Sequence, residues 1–451
     1  MLKSMCVRDP MKKLTNCSLF LLLAVVLACG CSSSNRTPLD NPSDDDLEIV
    51  FPLDSVPLIS LAPEQGWTAV LNAFFDEGAE DYVRAAFSFD GEELPVVGMR
   101  IRGSRKAGKG QEEDKYSLKL NFDYYGGKRF HKVDKVYLEN NKPDPSRMRE
   151  KLASRLYEEM GVPVARVAFV TVELDGENQG LYSMVQAVDK RFLKDKFGTV
   201  DNADDGNLYE CAPPGCTLEW NGTTKWDYYF PDCDGNECGL VQITNEDDPD
   251  MRNYDDLLHF LDVLNNTSDD DFGAAIQQIF DVDRFLRFLA VAVAISDYES
   301  YLGDPSNFFL YHRPDTGKFV YIPWDHNKTY GDEECMGSVE LTGGDIDPIG
   351  CLGPSRPLLT RILAVPAFRQ QYLAYLQTVL DQYLTEQVQG AWITELDILV
   401  EDKIPSSAHE FHSQEDYWMS ISAEPTLERP LSLLYFVKER RAYLLDRLSN
   451  L

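Results

Sequence analysis

Between residue 49 and about residue 190 the apolar positions recur with a period near two. Val83–Phe89 alternates and stops at Asp90-Gly91. Val97–Arg102 and Tyr116–Phe122 follow, the last reading Y-S-L-K-L-N-F. This spacing predicts strands with one buried face. One helix interrupts them, with Ser146 as its predicted N-cap, Met148, Leu152, Leu156 and Met160 four apart, and Gly161 and Pro163 as its stop. Val164–Leu174 and Leu181–Val188 predict a hairpin turned by Asp175–Gly180. From about residue 253 the period lengthens to that of a helix over Tyr254–Leu264, Val282–Ile295, Phe368–Leu384, Gln387–Leu399 and Pro430–Leu448. One hairpin breaks this half, Phe308–His312 and Phe319–Ile322 around Pro314-Asp-Thr-Gly317. The pattern predicts an α+β chain: a sheet-rich part over 49–194, an acidic, cysteine-containing insertion over 195–250, and a helix-rich part over 251–451.

Composition narrows the functional classes. The 451 residues suit two or three domains, and 43% hydrophobic residues supply a packed core, so wholesale disorder is excluded. With 43 Lys and Arg against 75 Asp and Glu, the net charge is −32. A surface this negative repels phosphate backbones and anionic lipid, which argues against nucleic acid as a partner.

The N-terminus reads as an address. Lys12-Lys13 precede the apolar run Leu19–Ala28, and Ala28-Cys29-Gly30-Cys31 supplies small residues at a cleavage zone. Residues 1–30 are therefore expected to be a signal peptide of lipoprotein type, with Cys29 or Cys31 as the lipidated residue, plain secretion being the alternative. Residues 31–48 are rich in Ser, Asn, Pro and Asp and predict a flexible tether. The expected location is outside the cytoplasm, on a bacterial membrane through the lipid anchor alone. Six cysteines remain beyond the signal: Cys211, Cys216, Cys233, Cys238, Cys335 and Cys351. An even set in an exported chain predicts three disulfides, with Cys335–Cys351 as a local bridge and the other four paired among themselves. A zinc site is the alternative reading of the two C-x4-C pairs.

Three stretches hold candidate chemistry. Arg102-Gly103-Ser104-Arg105-Lys106 opens a Gly/Ser/basic loop between two strands, followed by Lys115 and Lys119. Glycine lets backbone N–H groups approach a phosphate, and basic side chains add donors, so the loop is a candidate anion site in an otherwise acidic chain. The second stretch is Ser296-Asp297-Tyr298-Glu299 with Asn307 beyond it, and the third is Pro323-Trp324-Asp325-His326-Asn327. Carboxylates and an amide at helix and strand ends are the ligand types that Mg²⁺ takes together with water and phosphate oxygens. A solvated basic turn and an acidic surface loop are the plainer readings of the same residues.

Taken together, these segments resemble the CotH (spore coat protein H) kinases. The resemblance runs through V-G-M-R-I-R-G-S, K-Y-S-L-K-L, S-R-M-R-E-K-L-A-S-R-L-Y, the V-E-L-D-G-E-N-Q-G-L-Y hairpin, G-N-L-Y, N-F-F-L-Y-H-R-P-D-T-G-K-F-V-Y-I-P-W-D and the closing F-V-K-E-R-R-A-Y-L-L. It implies a two-lobed, atypical protein-kinase-like fold that uses ATP with Mg²⁺ or Mn²⁺ to phosphorylate Ser or Thr of a protein at the cell surface or in a coat. Lys119 would be the nucleotide lysine, with Arg102, Gly103, Ser104 and Lys115 around the phosphates. Asn307 and Asp325 would hold the metal, with Asn327 standing where the family often has a second acid. The catalytic carboxylate would be Asp297 or Glu299, acting beside Asp325. Asn327, and Glu210 where the family has Lys, depart from the family pattern, and the alternative they leave open is a catalytically inactive, kinase-like surface-binding or coat protein.

Overall fold

The computed structural model describes residues 45–77, 81–102, 115–233, 236–245, 248–332, 346, 348, 355–404, 409–424 and 431–451. Gly103, Ser104, Cys29, Cys31, Cys335 and Cys351 lie outside these residues.

Seven strands close a barrel in the order β1-β2-β3-β4-β5-β7-β6. They are β1 (Leu58–Pro63), β2 (Val83–Phe89), β3 (Glu92–Arg102), β4 (Ser117–Asn121), β5 (Lys135–Glu139), β6 (Val167–Leu174) and β7 (Glu177–Gln186). Neighbours are antiparallel except β1 and β6, which run parallel with Leu58 opposite Thr171 and seal the barrel. The period-two pattern decides what fills it. Val97, Met99 and Ile101 of β3, Leu118 and Leu120 of β4, and Val136 and Leu138 of β5 share one core. Alternation therefore leaves Arg100, Arg102, Lys119, Tyr137 and Glu139 on the outside. Phe87, Phe122 and Phe130 pack in the barrel core with ring centroids 5.1 to 5.5 Å apart. Helix α1 (Asp45–Val50) buries Leu47 and Val50 in the same core, although Leu47 falls in the stretch expected to be a tether.

A second sheet has the order β12-β11-β8-β10-β9. Its strands are β8 (Leu208–Ala212), β9 (Tyr229–Cys233), β10 (Asn236–Gln242), β11 (Phe308–Arg313) and β12 (Lys318–Pro323). The segment read as an insertion thus supplies three of the five strands, and β8 sits at the centre, paired with β11 and β10. The two disulfides of the described residues, Cys211–Cys216 and Cys233–Cys238, join near neighbours with Cα atoms 5.8 and 6.2 Å apart. One face of the sheet, with Tyr209, Leu240, Phe308, Leu310 and Tyr321, joins the helical core. The other, with Leu208, Phe309, Tyr311 and Ile322, packs on Phe192, Leu193 and Phe197 of α4 (Lys190–Phe197).

Helix α7 (Val282–Ile295) is the axis of the helical core, and twelve of its fourteen residues are buried. A helix apolar on all sides has no surface stripe to show, and it must be covered all round. Around it lie α3 (Arg149–Glu159), α5 (Asp255–Asn266), α6 (Asp269–Ile279), α8 (Pro357–Ala364), α9 (Pro366–Thr378), α10 (Glu386–Val400) and α12 (Leu433–Ser449). The periodicity reading omitted β1, β5, β8, β9, β10, α1, α4, α6 and α8. β5 is five residues long and β1 ends in Pro63, so neither holds enough alternation to stand out. Helix α3 starts at Arg149, two residues later than an N-cap at Ser146 would place it, with Met148 at the N-cap position and Asp144 holding the first helical N–H. The Asp144 carboxylate accepts from Ser146 N and Arg149 N, both at 2.9 Å. The left-handed Gly161, φ 74°, ends that helix as its position predicts.

Lys115 is fully buried just before β4, away from solvent. Its Nζ donates to Leu181 O at 2.6 Å and to Glu410 Oε1 at 3.0 Å. Glu410 also accepts from Arg147 at 3.0 Å and from Leu181 N at 3.1 Å, so one carboxylate fastens residues 409–412 to the barrel. Removing it strands two buried cations, and Glu410→Ala is expected to lower unfolding stability by about 3–5 kcal/mol. Denaturant titration checks this; a midpoint unchanged from wild type would show that the contact is dispensable.

Candidate functional site

The candidate site is built on the open end of the β11–β12 hairpin. Gly317, φ 66°, turns the hairpin, and pairing continues to Phe308 opposite Pro323. Pro323 cannot donate to the ladder, so the strand ends there, and Trp324 N closes the last pair on Asn307 O at 3.0 Å. Asn307 and Asp325, just beyond, both have left-handed backbone, φ 54° and 60°, as do Ser296 and Tyr330, φ 57° and 55°. Asn and Asp tolerate this region best among residues with a side chain, and such conformations gather at functional sites. The Asn307 amide donates to Glu299 O at 2.9 Å, which places Glu299 beside it. Lys328 forms an ion pair with the Glu299 carboxylate, and both side chains keep about a third of their surface in solvent.

Beneath the hairpin end lies a buried ionic cluster. His326 Nδ1 is 2.9 Å from Asp297 Oδ2, and the same oxygen accepts from Tyr157 OH at 2.6 Å. His326 N donates to Glu150 Oε2 at 2.5 Å. Asp297 sits where α7 ends and is 1% exposed, so it holds two neighbours in place and faces no solvent. Burial lowers the pKa of His326, but Asp297, Glu150 and Asp325 outweigh that and raise it. Burial pushes the Glu150 carboxyl up to about 7 against the pull of His326, with Asp325 and Asp297 adding to the rise. Sequence reasoning treated the helix carrying Glu150 and Tyr157 as core alone. No local signal marks Glu150, which stands between Arg149 and Lys151 in the sequence.

The barrel supplies the opposing wall. The register places Arg100, Lys119, Tyr137 and Val185 in one row across β3, β4, β5 and β7. The Tyr137 ring packs edge-on against Trp324 at 5.3 Å, which brings that row to the hairpin end. Lys119 Nζ lies 5.0 Å from the Tyr137 ring centre. The Arg102 guanidinium pairs with Glu139 and lies 3.6 Å from Asp325 Oδ2. Glu210, on β8, keeps contact with solvent, but its surroundings raise its pKa while Lys119, Arg102 and Arg100 pull it down. Burial lowers the pKa of Lys119, and Tyr82 and Glu210 oppose the shift.

The structure therefore groups Arg102, Lys119, Glu210, Asn307, Glu299 and Asp325 about the junction of barrel and hairpin, with Asp297 one layer below. Asn327 is partly exposed in the turn after His326. Lys115 does not join them, since it is held by Glu410. A carboxylate, an amide oxygen and two cations form a donor set that suits a hard divalent ion together with phosphate oxygens. Among the described residues no three His, Cys, Asp or Glu side chains form a closed metal cage.

Glu150 and His326 give the cluster a pH dependence of one sign. Both pKa values are raised by folding, so their stabilising contribution is full below the unfolded values and is lost as pH rises, for Glu150 through about 7. Wild type is expected to lose on the order of 1–3 kcal/mol of stability between pH 5 and 8 through Glu150. Glu150→Gln keeps an acceptor for His326 N and should flatten that decline in thermal melts taken across the range. An unchanged slope would remove Glu150 as its source.

The sequence model described as CotH kinase protein matches residues 99–444. The chain is 27% identical to the inner spore coat protein H of Bacillus subtilis over 274 residues, 58% of this chain and 66% of that one. It is 25% identical to the invasin CotH3 of Rhizopus delemar over 243 residues, 52% of this chain and 37% of that one. The chain thus spans just under two thirds of the first relative and under two fifths of the second. Among solved structures, a chain of the Shewanella oneidensis MR-1 complex of HipA, HipB and operator DNA matches 74% of this chain and 63% of its own length, at 13% identity and a TM-score of 0.30. With the family model covering most of its length, the chain belongs to the CotH kinase protein family.

Proposed function

We propose that this chain is a CotH-type kinase that transfers the γ-phosphoryl group of ATP to Ser or Thr hydroxyls of a protein, outside the cytoplasm. The observation that carries the reading is the meeting of Arg102 and Lys119, on the barrel wall, with Asn307, Glu299 and Asp325 at the hairpin end. In a chain of net charge −32, this is where cations face an accessible carboxylate and amide pair. Bound ATP with Mg²⁺ or Mn²⁺ would supply the phosphoryl group, the metal neutralising its oxygens. Lys119 and Arg102 would hold phosphate oxygens, and Asp325 and Asn307 the metal. Arg102 now offers Asp325 the positive charge that the metal would supply there.

Between the two candidate carboxylates, accessibility favours Glu299. Asp297 is committed to His326 and Tyr157, whereas Glu299 is partly exposed, next to Asn307, and able to take the proton of a substrate hydroxyl. Asp297 then acts as a positioning residue through His326. The N-terminal basic and apolar run supports export, and Cys29 or Cys31 supports a lipid anchor, which would put the protein substrate at a cell surface or in a coat.

The test is metal-dependent ATP binding and phosphate transfer by the full chain. Asp325→Ala is expected to lower turnover by roughly 10²–10³-fold, as loss of a preorganised charge does, and chelation of the metal to abolish it. Glu299→Gln should lower kcat with nucleotide affinity nearly unchanged. Failure of the folded wild-type protein to bind nucleotide would overturn the kinase reading in favour of an inactive binding or coat protein. If Asp297→Asn alone stopped transfer while Glu299→Gln did not, the carboxylate assignment would reverse.

A further inference from the structure

Helix α3 presents the His326 cluster on one face and a separate cavity on the next. Glu150 and Tyr157 point to the cluster, while Lys151, Ser154, Arg155 and Glu158 follow the i, i+3, i+4, i+7 spacing of an adjoining face. That second face lines a cavity of about 280 Å³, closed by the start of β6, by Lys196 of α4 and by Glu395 and Leu396 of α10. At about 30 Å³ per water, the space equals some nine waters, enough for a ligand of about ten non-hydrogen atoms.

Most of the charge around the cavity is already matched. Arg155 pairs with Glu395 at 3.0 Å, Arg166 with Asp195 at 3.0 Å and Lys196 with Glu158 at 3.4 Å. Lys151 is the exception. Its Nζ donates to the Val167 carbonyl, and no carboxylate lies within ion-pair distance of it among the described residues. One turn away, the Ser154 hydroxyl is 7% exposed and has no hydrogen-bond partner among the described residues. A helical serine ordinarily satisfies its hydroxyl on the carbonyl four residues back, so an idle buried one is a cost to the fold. Phe51, Leu53, Val164 and Ala165 make the remaining wall apolar. A cavity with one apolar wall, an ammonium that no carboxylate pairs and a hydroxyl without a partner has the make-up of a small-molecule site.

We propose that this cavity binds a small apolar molecule carrying one oxyanion, a phosphate monoester or a carboxylate, held by Lys151 Nζ and Ser154 Oγ. The ligand would supply the missing counter-charge and an acceptor for the idle hydroxyl. Because α3 also carries Glu150 and Tyr157, occupancy would bear on the side chains that seat His326. The site does not depend on the nucleotide reading, since none of Arg102, Lys119, Asn307, Glu299 and Asp325 lines it.

Calorimetry on the full chain with phenyl phosphate and phenylacetate as probes, and benzyl alcohol as the neutral control, tests the proposal. Saturable binding of at least one anion, with none of the alcohol, is expected. Lys151→Met should weaken it about tenfold or more and Ser154→Ala severalfold, while Lys119→Met leaves it unchanged. Affinity should fall between pH 7 and 9, because burial pushes the Lys151 pKa down to about 8 and the ammonium is lost over that range. The ligand-free Lys151→Met protein should melt no lower than wild type, since it is relieved of a partly buried cation that no carboxylate pairs. Absence of binding by either anion, equal binding of the alcohol, or binding abolished by Lys119→Met and kept in Lys151→Met would each overturn it.

Discussion

The geometry of the site depends on one buried imidazole. His326 contacts Asp297, 29 residues away, and its backbone reaches Glu150, 176 residues away, while Tyr157 closes the set through Asp297. These contacts tie α3, the end of α7 and the hairpin exit into one unit. A charged group in a dry interior must be matched, because an unpaired one costs several kcal/mol. Asp297 and Glu150 therefore restrict where the chain after Pro323 can run, and Asp325, one residue before His326, is held in its left-handed conformation as a result. Tyr330 N, donating to Ile295 O at 2.7 Å, pins the far side of the same turn.

The second constraint is the pleat of the barrel. Its core takes every other residue of β3, β4 and β5, so the cations between them are forced outward onto one wall. Trp324 packing on Tyr137 and Phe309 sets that wall against the hairpin, and the acids of β8 and of the hairpin exit face it. The barrel wall is rich in cations and the hairpin exit in acids. Their apposition produces a mixed site in which Glu210 and Lys119 shift one another's proton affinity. The loop after β8 is held as well, because Pro305 O accepts from Cys216 N at 2.6 Å. The disulfide thus braces the stretch between Glu299 and Asn307.

Much of this was legible beforehand where the pattern was periodic. The α7 range and the β11–β12 hairpin follow from local spacing, as does the Gly161 stop, because each depends on neighbours within a turn or a strand pair. Arg102, Asn307, Glu299 and Asp325 could be named from their chemistry and their places at element ends, and Lys119 from the family resemblance of its strand. Segments 195–250 read as an appendage because their strands are short and broken by Pro, Gly and Cys. Their status as sheet members comes from pairing with β11, about a hundred residues away, which no local signal records. Lys115 and Lys119 were both read as phosphate-side lysines, and no local signal shows that Lys115 turns away into a buried contact. The partner that separates them, Glu410, lies 295 residues from Lys115.

By itself, then, the sequence determined the elements with strong periodicity, the family, the acidic field and the residue types available for phosphate and metal. The tertiary structure decided which of those residues meet. It sank Asp297 beneath the site while leaving Glu299 at its edge, sent Lys115 to a structural contact and Lys119 to the shared wall, and opened a cavity on the neighbouring face of α3. The physical reason is that burial and charge pairing are properties of contacts across long separations, whereas periodicity and capping are properties of adjacent residues.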